Sequence, residues 1–166
     1  MTLVANVYIT HVLMLLFALA ATYMALPEGS GQVTRGRRLL ATALLGAMAA
    51  LALIAYPTWG ELKNPGLWMF AILAGVAGVA RGYWMQIDID HSWGLIRLRS
   101  AIDGPLAAGG LVLLAVIEIV LATIGPADQP TMELGMTVLA SFLVGRASAV
   151  LMRSRNEPQA DLHDNL

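Results

Sequence analysis

The hydrophobic residues of this chain fall into five long blocks separated by short polar breaks. The blocks cover residues 3–26, 39–56, 66–84, 105–124 and 132–152. Each is close to the ~20 residues needed to cross the hydrocarbon core of a bilayer as a helix. The breaks carry turn chemistry: Pro27-Glu28-Gly29-Ser30-Gly31, Pro57, Asn64-Pro65-Gly66 and Gly125-Pro126. The pattern predicts an all-α integral membrane protein, a bundle of five transmembrane helices. Residues 1–152 form a single transmembrane domain, and residues 153–166 a polar tail. The first block has no basic residues before its apolar core, so it is expected to be a retained helix and not a cleaved signal.

One break has a different period. Residues 85–100 alternate apolar and polar on both sides of His91-Ser92-Trp93-Gly94, which predicts a β-hairpin between the third and fourth helices. A four-residue turn, with Gly94 free to take positive φ, sets Asp88 opposite Arg97 and Ile87 opposite Leu98. Asp88 and Arg97 are expected as a cross-strand ion pair, with Asp90 and Arg99 nearby. Ile87, Ile89, Ile96 and Leu98 form an apolar face that needs cover from helix ends, a second copy or another subunit.

Composition agrees with the membrane reading. Of 166 residues, 58% are hydrophobic and only 13% charged, against about 25% charged in soluble domains. A net charge of -1 gives no sign of nucleic-acid binding. The absence of Cys excludes disulfides, thiolate nucleophiles and covalent c-type haem attachment. No phosphate-binding loop or catalytic triad is present, and no enzymatic activity is expected.

The charges sort by side. Arg35, Arg37, Arg38, Arg81, Arg97, Arg99, Arg153 and Arg155 fall on one flank, and the opposite loops hold only Lys63. The positive-inside rule then gives N-out/C-in, with the hairpin and the tail in the cytoplasm. Tyr56, Trp59 and Trp68 on one flank, and Tyr23, Tyr83 and Trp84 on the other, suit interfacial belts. Small residues at helical spacing, among them Ala71, Gly75, Gly78 and Gly82, allow close helix packing within the chain or in a homodimer.

The order of parts resembles the CcdC-like family of small bacterial integral membrane proteins. The resemblance spans mainly residues 66–153: Arg81 closing a glycine-rich third helix, the Leu-Ile-Arg-Leu-Arg-Ser strand at 95–100, and Arg146 in the inner half of the fifth. It implies the bacterial inner membrane and a link to cytochrome c biogenesis. It supplies no catalytic residue.

Charges inside a span are candidate functional groups because they are costly there. His11 and Glu118 both fall roughly 10 Å below the outer boundary at 1.5 Å per residue. They are candidates for a proton or ligand site if the first and fourth helices are neighbours. Arg81, Asp103 and Arg146 are expected to converge near the inner boundary, as a structural cluster or a lipid-headgroup site. Arg35, Arg37 and Arg38 read as topology determinants touching anionic lipid. Asp88, Asp90 and His91 are too few ligands for a metal site. A single intramembrane histidine does not provide bis-histidine haem b ligation in a monomer, so no cofactor is expected.

These features point to a non-enzymatic accessory or assembly protein. Its expected partners are membrane lipids and a second copy or another membrane protein. The alternatives are a small transporter or ligand-binding protein using His11 and Glu118, and a haem- or quinone-binding protein.

Overall fold

The computed structural model describes residues 9–54, 65–99, 101–124 and 130–158. Tyr56, Trp59, Lys63 and the turns at Pro57, Asn64 and Gly125 lie outside the described residues. Among the described residues there are five helices: α1 (Ile9–Gly29), α2 (Gly36–Ile54), α3 (Pro65–Trp84), α4 (Asp103–Ile124) and α5 (Pro130–Arg153). All five are long and apolar enough to cross a membrane. Three short strands accompany them: β1 (Val33–Arg35), β2 (Ile87–Asp90) and β3 (Leu95–Leu98).

Helices α1, α2, α5 and α4 form a ring in which each packs on the next, and α3 sits outside the ring, chiefly against α5. The interior is built from small side chains. Ala18, Ala21, Ala25, Ala49, Ala108 and Ala115 are buried, with Met14, Leu111, Met136 and Leu143 filling the space between them. The large apolar residues point outward instead, as with Leu16, Leu44, Ile72 and Leu113, each more than half exposed. This distribution suits a lipid surround, where close backbone approach rather than apolar burial drives helix association.

The α3–α5 seam shows the approach at its closest. A Cβ on Gly78 would run into the backbone of Phe142 and Arg146, and one on Gly145 into the backbone of Gly75. The helices run parallel, since Gly75, Gly78 and Gly82 meet successively later residues of α5. Gly75, Gly78 and Gly82, which the sequence offers to packing within the chain or to a homodimer, thus pack against α5 of the same chain.

Helix α1 passes through Pro27, where the sequence suggests a turn. Proline has no N–H for the carbonyl four residues back, that of Tyr23. Arg38 of α2 replaces the missing donor: its Nη2 donates to Tyr23 O (3.3 Å), and its Nε to Met24 O (3.1 Å). The helix stops later. Gly31, with φ of 65°, donates to Glu28 O while Gln32 donates to Pro27 O, the paired bonds of a Schellman stop. Arg37 and Arg38, read as loop residues, lie in the first turn of α2.

The sheet has the order β1-β3-β2, all antiparallel. β2 and β3 pair Ile87 with Leu98, Asp88 with Arg97 and Ile89 with Ile96, and Gly94 in the turn has φ of 62°. β1 comes from the α1–α2 connection and sets Thr34 opposite Ile96. Its addition ties the first helix pair to the α3–α4 connection. The apolar face of the sheet is covered by the chain itself: Ile96 and Leu98 pack with Leu39, Met85, Ala101 and Val150. Among the described residues, the cover that this face needs thus comes from helix ends and loops of the same chain.

Candidate functional site

The C-terminal ends of α1, α3 and α5 and the N-terminal ends of α2 and α4 gather at one end of the bundle. There α5 delivers Arg146, only 1% exposed. Its Nε donates to Asp103 Oδ2 at 2.9 Å, and its Nη1 lies 2.8 Å from Glu28 Oε2. Arg81 adds a longer contact to the same Asp103 oxygen, 3.4 Å. Arg81, Asp103 and Arg146 thus converge, and Glu28 joins them as a fourth member because α1 continues past Pro27. Two carboxylates face two guanidinium groups, so the formal charges balance. Gly104 makes the room: a Cβ there would sit 2.5 Å from Glu28 Oε2 and 2.9 Å from Arg146 Nη1. The guanidinium is held by charge on two sides, the arrangement a buried cation requires.

Other arginines at this end bind backbone carbonyls. Arg153 Nη1 donates to Gly82, Tyr83 and Met85 O at 3.1, 2.7 and 2.7 Å, closing the C-terminus of α3, and its Nη2 pairs with Glu157. Cations are favoured at helix C-termini, where unpaired carbonyls concentrate negative charge.

The expected Asp88–Arg97 ion pair does not form. The two residues are opposite in register, but Arg97 Nε donates to Gly31 O (3.3 Å), and Arg99 takes Asp88 at 3.1 Å. The third strand accounts for the exchange, because it brings the α1–α2 connection within reach of Arg97. Asp90 braces the hairpin turn, and His91 links it to the segment after α5. Asp90 Oδ1 accepts from the Ser92 and Trp93 amides, and His91 Nε2 bonds Glu157 O at 2.8 Å.

His11 and Glu118 are 6% and 5% exposed on α1 and α4, two helices that pack together. His11 precedes Glu28 by 17 residues and Glu118 follows Asp103 by 15, placing both some 22–26 Å from the charged network. Glu118 Oε2 is buried without a hydrogen bond among the described residues.

A different feature has the shape of a binding site. Because α3 sits outside the ring, α2 and α3 stand apart, with α5 between them as a floor. The resulting lateral groove has a volume of about 570 Å³. Ala50, Leu51 and Ile54 form one wall, Leu67, Ile72 and Val76 the other, and Ala140 and Val144 the floor. Among the described residues, its side-chain polar groups are the hydroxyls of Thr137 and Ser141 and the indole N–H of Trp68. Among the described residues no carboxylate, guanidinium or imidazole lines it, and its walls provide mainly apolar contact. No hydrophobic run in the sequence marks it, since it arises from the spacing between helices.

Five apolar helices around an alanine- and glycine-lined interior are the architecture of a multi-pass membrane protein. Comparison with known protein families, curated proteins and solved structures returns no match.

Proposed function

We propose that this chain is a non-enzymatic accessory protein of the bacterial cytoplasmic membrane, oriented N-out/C-in, which holds the apolar tail of a membrane molecule in the groove between α2 and α3. The groove itself carries this reading. Its 570 Å³ lies within the ~300–1,000 Å³ typical of small-molecule sites. A spanning helix, ~10–12 Å across and ~30 Å long, is several times larger. A single acyl or isoprenoid chain, including a quinone tail, matches the dimensions and the apolar walls. The concentration of arginines at one end of the bundle supports the orientation. Labelling tests it: Arg37→Cys and Lys63→Cys react from opposite compartments. The resemblance to the CcdC-like family adds cytochrome c maturation as the process served. Without Cys the chain would assist that process rather than carry out its thiol chemistry.

The test is purification in mild detergent followed by organic extraction and mass spectrometry of the bound material. The wild type is expected to retain an apolar single-tail molecule. Ala47→Trp, which fills the groove from α2, is expected to lose at least tenfold of it, while Leu113→Trp on the outer face of α4 retains it. Absence of any bound molecule overturns the reading. So does a dimer or partner protein released by Ala47→Trp, which would make the groove a helix-docking surface.

A second reading, a small transporter, draws on the burial of His11 and Glu118 on packed helices. Unchanged proton flux in proteoliposomes carrying Glu118→Gln would remove it.

A further inference from the structure

Most arginines of this protein are engaged inside it. Arg38 and Arg153 bind helix-end carbonyls, and Arg97 binds Gly31 O. Arg81, Arg99 and Arg146 face carboxylates. Among the described residues, the side chains of Arg35, Arg37 and Arg155 alone make no hydrogen bond or ion pair. Arg35 and Arg37 share one cleft of about 530 Å³, with Leu40, Leu151 and Trp93 as its apolar lining and, among the described residues, no carboxylate on its walls.

We infer that this cleft is a binding site for an anionic phospholipid of the same leaflet, with the phosphate between Arg35 and Arg37. Three observations support that occupant over a soluble anion. First, Trp93 is 62% exposed beside the two arginines, and an indole at the level of the headgroups is the usual membrane-interface anchor. Second, the apolar side of the cleft continues along α2: Leu40 is followed by Leu44, both exposed and one turn apart, which gives an acyl chain a path into the bilayer. Third, the cleft opens at Gly36, where α2 begins, so the backbone amides of that helix end reinforce the preference for negative charge. Arg38, between the same elements, is withdrawn to α1. The three-arginine cluster therefore divides into one structural and two ligand-facing residues. The site uses no residue of the groove between α2 and α3.

Lipid retention by the purified full chain tests this, using phosphatidylglycerol and phosphatidylcholine as probes in native mass spectrometry. The wild type is expected to retain phosphatidylglycerol preferentially. With a modest electrostatic contribution from each cation near the surface, neutralising both arginines (R35Q with R37Q) lowers phosphatidylglycerol affinity by about 30-fold and removes the preference. Trp93→Ala lowers retention of both lipids several-fold. R99Q with R155Q removes the same charge elsewhere at this end and leaves the preference intact. Equal loss in that control would reduce the effect to general surface potential and overturn the site. Displacement of the lipid by millimolar inorganic phosphate would overturn the lipid assignment in favour of a free-anion site. Retention without headgroup preference in the wild type would overturn both.

Discussion

Arg146 and Glu28 meet 2.8 Å apart with both side chains 2% exposed, although one lies within the apolar run of α5 and the other directly follows a proline. The pair exists because α1 continues one turn beyond its apolar run. Arg146→Met leaves the buried Glu28 carboxylate without its partner, which costs about 3–5 kcal/mol in buried ion pairs, and is expected to destabilise the protein by that order in thermal or denaturant unfolding in detergent. Glu28→Gln leaves Arg146 with Asp103 still 2.9 Å away and is expected to cost less. The double variant is expected to lose less than the sum, because it strands neither charge. Strict additivity would show that the two side chains do not interact.

The same network makes a sharp distinction between two glycines of α4. A methyl on Gly104 would meet Glu28 Oε2 and Arg146 Nη1, whereas one on Gly109 meets nothing within 4 Å. Gly104→Ala is expected to destabilise, since the groups that must give way are pinned by charge. Gly109→Ala is expected to be neutral or to stabilise by about 0.5–1 kcal/mol, the helix-propensity difference. Melting temperatures of the two variants, measured side by side, decide the matter. A reversed order would mean that Gly104 is not packed against the ion network.

The five apolar helices are legible in the hydropathy of the chain, because spanning segments have a length and composition that little else shares. The pairing of β2 with β3 has local causes too, an alternating pattern and a glycine at the turn. The rest depends on relationships between distant residues. Pro27 looks like the end of α1, but the stop is Gly31, and the donor that carries the helix past the proline comes from Arg38, eleven residues later. A glycine four residues after a proline was the available signal for the later stop, and it places Glu28 in the helix and hence near Arg146. β1 has only three residues and no alternation of its own, so its pairing with β3 leaves no periodic trace. The hairpin register alone sets Arg97 opposite Asp88, and only the third strand brings Gly31 O within its reach.

The replacement of a proline's missing donor by an arginine has a testable form. Arg38→Gln removes two hydrogen bonds to the last turns of α1 and its guanidinium from over the Tyr23 ring, 5.7 Å from the centroid. A cost of about 1–2 kcal/mol is expected, toward the low side of the roughly 1.5–3 kcal/mol of charged hydrogen bonds, because the bond to Tyr23 O is exposed. In a Pro27→Ala background the Tyr23 carbonyl regains a helical donor, and Arg38→Gln is expected to cost measurably less. Equal costs in both backgrounds would separate Arg38 from the proline.

The pairing of β1 with β3 can be read out covalently, because the chain has no native cysteine to interfere. Thr34 and Ile96 are directly opposite and both about 5% exposed or less, and side chains opposite one another in an antiparallel pair have Cβ atoms roughly 4.5–5.5 Å apart. A variant carrying T34C and I96C is expected to form an intramolecular disulfide under mild oxidation, visible as a mobility shift reversed by reductant. The combination T34C with L98C is two residues out of register, at roughly 7–8 Å, and is expected to oxidise far more slowly. If the out-of-register pair closes as fast as the in-register one, β1 does not hold its place in the sheet. The link between the first helix pair and the α3–α4 connection would then be lost, and with it the reason Arg97 donates to Gly31 rather than to Asp88.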